Sequence, residues 1–98
     1  MTDEQATQVL LDLYEKGHGL AYYAIERILG NQLTRDEIED LVQEGFLRLL
    51  IHAEHLHRID EDRQMSYLTS TMRNVAIDEG RRRSQKKKME CLDPENFT

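Results

Sequence analysis

Residues 34–53 read TRDEIEDLVQEGFLRLLIHA, and the order of residues in this stretch decides the fold. Thr34 stands three positions before Glu37, the spacing of a capping box. Asp36 and Glu37 occupy the first turn, where the helix dipole favours negative charge. At 100° per residue, Ile38, Leu41, Val42, Phe46, Leu49 and Ala53 fall on one face. Gly45 shares that face, where a missing side chain lets a second helix come close. A helix running to about Ala53 is therefore expected at the centre of the domain. Its other face groups Asp40, Gln43, Glu44, Leu47 and Ile51. Two aliphatic residues among acids and an amide suit a partner-binding patch, an apolar anchor with a charge-selective rim. The alternative is that a central helix is covered on both sides and Leu47 and Ile51 are core.

Helical signals continue on both flanks. Thr2 and Gln5 have capping-box spacing, and Val9, Leu10, Leu13 and Tyr14 recur at helical intervals. Gly17-His18-Gly19 should kink or break this element, since each glycine costs roughly 1 kcal/mol inside a helix. The pattern resumes with Leu20, Ala21, Ala24, Ile25 and Ile28, and Gly30-Asn31 is a stop signal. Glu54 to Asp62 is charged and lacks a helical period, so a loop is expected there. A third helix is expected from about Gln64 to Arg83, with Met65, Leu68, Met72, Val75 and Ala76 as its buried stripe. Ser66, Thr69, Ser70, Arg73 and Arg81 lie opposite, with Asn74 at the edge. The expected architecture is all-α, a compact bundle of three to four helices over residues 1–88, followed by an acidic linker or disordered tail over 89–98.

With 98 residues, 39% hydrophobic and 33% charged, five Gly and one Pro, the chain has room for one core and lacks the turn residues of a β-rich protein. A single cysteine, Cys91, excludes an intrachain disulfide and suits a reducing cytosol. The acidic start Met1-Thr2-Asp3-Glu4 does not resemble a signal peptide, and Arg48 interrupts the apolar run Phe46 to Ile51. Neither secretion by a signal peptide nor membrane spanning is expected. The net charge of −6 hides a division. Residues 1–62 carry five Lys/Arg against fourteen Asp/Glu, residues 63–88 eight against two, and the last ten only three acids. An acidic front and a basic back suit two partners, the basic part facing nucleic acid.

Arg81-Arg82-Arg83 and Lys86-Lys87-Lys88 carry the positive end. Six cations in eight positions exceed what a helix dipole asks for and suit phosphate oxygens, while the preceding Ser, Thr, Arg and Asn side chains suit phosphates and base edges. His52, His55 and His57 lie beside Glu54 without a fourth ligand in reach of the pattern; they read as surface histidines, and neither metal nor other cofactor is expected. There is no phosphate loop, nucleophile elbow or Cys–His pairing, so an enzyme is not expected.

Asp40-Leu41-Val42-Gln43-Glu44-Gly45-Phe46-Leu47-Arg48-Leu49, with Arg73-Asn74-Val75-Ala76-Ile77-Asp78-Glu79-Gly80-Arg81-Arg82-Arg83, resembles region two of bacterial RNA polymerase sigma factors of the sigma-seventy family, closest to the extracytoplasmic-function type. The first motif is similar to D-L-V-Q-E-x-F-L-R-L and the second to R-N-L-A-I-D-x-L-R-R, in the same order and some thirty residues apart. The resemblance spans roughly residues 8–88. It implies a cytoplasmic transcription-initiation module. Asp40, Gln43, Glu44 and Leu47 would dock on the clamp helices of the polymerase β′ subunit. Ser66 and the loop before it, Tyr67, Ser70, Arg73, Asn74 and Arg81, Arg82 and Arg83 would bind the non-template strand of the −10 promoter element and help to open the duplex.

The strand-opening helix of that family commonly carries several aromatics, whereas here Tyr67 stands among Thr69, Ser70 and Thr71. The chain ends before the region that reads the −35 element, as expected of a piece of a longer factor or of a stand-alone region two paired with a separate region-four subunit. An anti-sigma factor is a further partner the resemblance allows. Two other readings fit the residues: a helix-turn-helix regulator whose third helix enters the major groove, and a sigma-like interaction domain that binds polymerase without DNA.

Overall fold

The computed structural model describes residues 2–91, with side chains from 2 to 87. Cys91 as a side chain, Lys88 as a side chain and the tail 92–98 lie outside the described residues. Four helices follow one another: α1 (Asp3–Leu29), α2 (Arg35–Leu50), α3 (Ala53–Arg58) and α4 (Glu61–Cys91). The all-α expectation holds. Both capping boxes form as the spacing indicated. The Thr2 hydroxyl accepts from the Gln5 amide at 3.2 Å, and that of Thr34 accepts from the Glu37 amide at 3.2 Å. In return the Gln5 and Glu37 side chains accept from the Thr2 and Thr34 amides at 3.1 and 3.0 Å. Gly30 closes α1, its amide donating to the Glu26 carbonyl at 2.7 Å.

The whole apolar stripe of α2, Ile38, Leu41, Val42, Phe46 and Leu49, is buried, as is Ala53 just beyond it. The expected central place falls instead to α1, which packs against α2, α3 and α4 while α2 keeps one side exposed. Helix α4 runs parallel to α1, with Leu68 against Gly17 and Gly80 against Leu29, and antiparallel to α2. Leu68, Met72, Val75 and Ala76 bury fully between the two, with Met65 at the margin.

Three further expectations are corrected. Helix α1 is unbroken through Gly17-His18-Gly19. The reason is that Gly17 is buried under α4: a Cβ there would collide with the Leu68 methyl, so the intrinsic cost of glycine is offset by close packing. His18 adds a hydrogen bond of 2.9 Å to Glu39 on α2. Secondly, the span expected as a loop contains α3, whose Ala53 and Leu56 are buried. Two apolar residues three apart are too few to display a period. Thirdly, α4 is longer than expected at both ends. Asp60 starts it by accepting from the Arg63 amide at 2.8 Å, and Gln64 turns back to donate to the Leu56 carbonyl at 2.6 Å. Beyond Arg83 nothing in Ser84-Gln85-Lys86-Lys87 breaks a helix, and α4 continues with those side chains exposed. In α1, Tyr14, Leu20 and Ile28 are partly exposed rather than core, and Leu29 takes the buried position.

The two glycines of the Gly-His-Gly segment should respond oppositely to substitution. Nothing lies within 4 Å of a Cβ placed at Gly19, so Gly19→Ala should raise stability by up to about 1 kcal/mol through helix propensity. Gly17→Val should lower it by about 1–3 kcal/mol by overpacking Leu68. Urea denaturation of both variants measures this; equal effects would show that α4 does not rest on Gly17.

Candidate functional site

Two faces of the bundle carry polar or apolar groups that the core does not use. The first is the outside of α2. Asp40, Gln43, Glu44 and Leu47 are all exposed, at intervals of three and four that place them on one strip opposite the buried stripe. Leu47 is 67% exposed and Ile51 82%, which excludes the core reading of these two side chains. Leu50, at 47%, widens the apolar end of the strip; the periodic reading passed over it because it lies between the two faces. Glu44 is steadied by Arg48 at 3.6 Å, and Arg48 reaches across to Asp78 on α4 at 2.9 Å. Asp40 carries no ion pair among the described residues.

Beside this strip an ionic cluster fastens α2 to the second half of α4. Glu79 is the buried charged residue of the core, and it accepts from Arg82 at 2.6 and 3.0 Å and from Arg83 at 3.0 Å. Arg83 also donates to Glu37 on α2, the same carboxylate that closes the α2 capping box. Hydrogen bonds from Arg82 hold the Glu79 carboxyl below its ordinary range against the opposing pull of burial, with Arg83 assisting. The Glu37 carboxyl is lowered first by the Thr34 amide and then by Arg83. The basic run therefore divides. Arg83 is part-buried and engaged in the fold, and Arg82, although exposed, is engaged with Glu79. Arg81, Lys86 and Lys87 are exposed and carry no ion pair among the described residues.

The second face is an open groove of about 720 Å³ between the end of α2, α3 and the first half of α4. It brings together Ser66, Tyr67, Ser70 and Asn74, four of the residues singled out for strand binding. Arg48, Arg63 and Thr71 join them, as do His52 and His55, whose rings lie 5.5 and 5.7 Å from that of Tyr67. No carboxylate is among the residues lining it. Arg73 does not share this groove. It borders a different one between α1 and α4, with Leu20, Tyr23, Arg27 and Thr69. The sequence grouped Arg73 with Asn74, but adjacent helical positions diverge by 100°. His52 and His55 were missed as groove residues; their spacing of three is a signal only once α3 is known to be helical. His57 points elsewhere, beside Lys16 and Gln64. Among the described residues no cluster of His, Cys, Asp and Glu could hold a metal, and no helix is long and apolar enough to cross a membrane.

A family model described as Sigma-70 region 2 matches residues 13–86, which spans both faces and the ionic cluster between them. No curated protein and no solved structure matches the chain.

The ionic cluster makes stability depend on pH with a definite sign. Glu37 and Glu79 ionise more readily folded than unfolded, so their contribution is complete above the usual glutamate value of 4.5 and is lost as pH falls through their lowered folded values. Glu79→Gln should cost about 1–3 kcal/mol at pH 7. Its stability gap from the parent chain should narrow as pH drops below 4.5. Denaturation midpoints at pH 7 and pH 3 check this; a gap unchanged between them would assign the cost to packing.

Proposed function

The chain belongs to the sigma-70 region 2 family, whose role is RNA polymerase binding and recognition of the −10 promoter element, and we propose that its two faces divide these tasks. Such a domain is a non-enzymatic part of transcription initiation, acting where the polymerase acts, in the cytoplasm. Membership decides against the helix-turn-helix alternative. In our reading the outer strip of α2 docks on the β′ clamp helices. The observation that carries it is the exposure of Leu47, Leu50 and Ile51 at the end of a strip holding Asp40, Gln43 and Glu44. An apolar anchor that stays in water in the free domain, rimmed by acids and an amide, suits a basic, partly apolar partner.

The groove of Ser66, Tyr67, Ser70 and Asn74 takes the non-template strand of the −10 element. A carboxylate-free lining admits the backbone, Tyr67 offers a ring for an unstacked base, and hydroxyls and an amide meet base edges. Arg81, Lys86 and Lys87 supply phosphate contacts further along α4, with Lys88 of the same run. Arg83 contributes to DNA binding chiefly by holding α4 against α2 and Arg82 by holding Glu79 on its own helix, and Arg73 serves a neighbouring stretch of the strand on the α1 side. The acidic front of the chain, nine more acids than Lys and Arg over residues 1–62, opposes non-specific binding. The affinity of the isolated domain for the strand is thereby kept low, so that its binding is measured at low salt or with polymerase present. A separate region-four subunit or an anti-sigma factor would attach outside these two faces or compete for them.

Docking is tested by pull-down with isolated β′ clamp helices. Asp40→Lys, Glu44→Lys and Leu47→Asp should each lose binding by about 2–5 kcal/mol with helicity intact by circular dichroism. Undiminished capture by all three would refute this face.

On DNA, Asn74→Ala should reduce the preference for a −10 strand over a scrambled strand with little change in salt dependence. Lys86→Ala and Arg81→Ala should weaken both strands alike and flatten the log–log salt slope by roughly 0.7 each. Fluorescence anisotropy across a salt series, repeated in transcription with core polymerase, decides this. A domain that binds clamp helices but no strand, even with polymerase present, would be an interaction module alone.

A further inference from the structure

We infer that His52 and His55 complete a base-binding cradle with Tyr67, and that protonation of the two imidazoles tightens the hold on the phosphate backbone there. The inference rests on the reading of the groove as the strand-binding face and adds to it the residues and condition that govern affinity.

Helix α4 carries a single aromatic ring in its sequence, that of Tyr67. Two more rings arrive from outside α4: His52 at the entry to α3 and His55 within it. The His52 ring meets Tyr67 at 60° and the His55 ring at 54°, so neither lies flat on the phenol. The three rings instead make walls of a concave surface. Ser66, Ser70, Thr71 and Asn74 line the same groove with donors and acceptors. Walls of π-systems with a polar floor suit an unstacked nucleobase.

The charges around this cradle give the imidazoles their second role. On α2 Arg48 faces the groove and is paired with Asp78 of α4 at 2.9 Å and with Glu44 at 3.6 Å. On α3 Glu54 is paired with Arg58 at 2.7 Å, and His57 lies in another pocket. At the start of α4 Arg63 lies 3.7 Å from Asp60. Asp78, Glu44, Glu54 and Asp60 are thus already paired with arginines, Asp62 at the start of α4 carries no ion pair among the described residues, and no carboxylate lines the groove. Two imidazolium ions formed there would meet no carboxylate among the residues that line the groove. The phosphate of a bound strand is the counter-ion the site lacks. Histidine changes charge between about pH 5 and 8, within the range a cell can traverse.

The experiment measures anisotropy of a labelled twelve-nucleotide single strand rich in A and T, and of its duplex, with the full chain at pH 5.5 and 8.0. The single strand should bind about tenfold more tightly at pH 5.5. Its log–log salt slope should steepen there by roughly 1.4, two contacts at 0.7 each. His52→Phe/His55→Phe keeps the rings without the charge. It should hold the strand better than His52→Ala/His55→Ala at both pH values, yet show no tightening at pH 5.5. His57→Gln should retain the full pH response. Circular dichroism establishes that each variant is folded, as expected for exposed side chains. A pH-independent parent chain, or a pH response kept by the double Phe variant, overturns the imidazole role. If Asn74→Ala still weakens binding in that case, the groove remains the strand site. If the parent chain shows no preference for single strand over duplex at either pH and Asn74→Ala changes nothing, the groove reading and the cradle fall together.

Discussion

Helix α4 can do its work only because two glycines let it sink into the bundle. Leu68 presses on Gly17 of α1 and Met72 on Gly45 of α2, each occupying the place a Cβ would fill. Helix α4 has few large apolar residues, and its burial is confined to a narrow stripe. A shallow contact would leave that stripe half wet. Close approach lets four modest side chains, Leu68, Met72, Val75 and Ala76, be removed wholly from water. The rest of the circumference of α4 is then free for polar residues, which is where the groove is built. The continuity of α1 has the same origin, since Gly17 within the unbroken helix receives Leu68.

Where the apolar stripe of α4 gives out, charge takes over. Among the described residues Glu79 is the last of the stripe to be buried; Arg82 and Arg83 both bond it, and Arg83 ties it to Glu37 at the N-terminus of α2. The arginines most naturally read as DNA contacts thus serve in part to fix the helix that carries the remaining cations. A run of like charges in sequence need not act alike in space, because each position faces a different neighbour 100° further round.

Much of this was legible from the residues. The α2 stripe and both capping boxes are local patterns, and the outer strip of α2 follows from the same periodicity. What escaped depended on partners distant in sequence. The Gly-His-Gly segment looks like a break unless Leu68 is known to lie over Gly17. Helix α3 is too short to show a period, and with it went His52 and His55, which join the groove only because α3 folds back towards Tyr67. The engagement of Arg83 by Glu37 links positions 46 residues apart, which no short-range rule reaches.

Helix α4 is continuous from Tyr67 in the groove to Lys87 in the basic run. Twenty residues at 1.5 Å each make this about 30 Å of rigid rod. In the proposed reading the rod is a ruler: the separation between a base held at Tyr67 and phosphates met by the lysines would be written in the number of residues between them. At 3.4 Å per step, that separation corresponds to about nine base pairs of duplex. It also sets phase, since one added residue would advance the lysines by only 1.5 Å while swinging them through 100°. Evolution could change the chemistry at either end of such a rod freely, but its length only in whole turns.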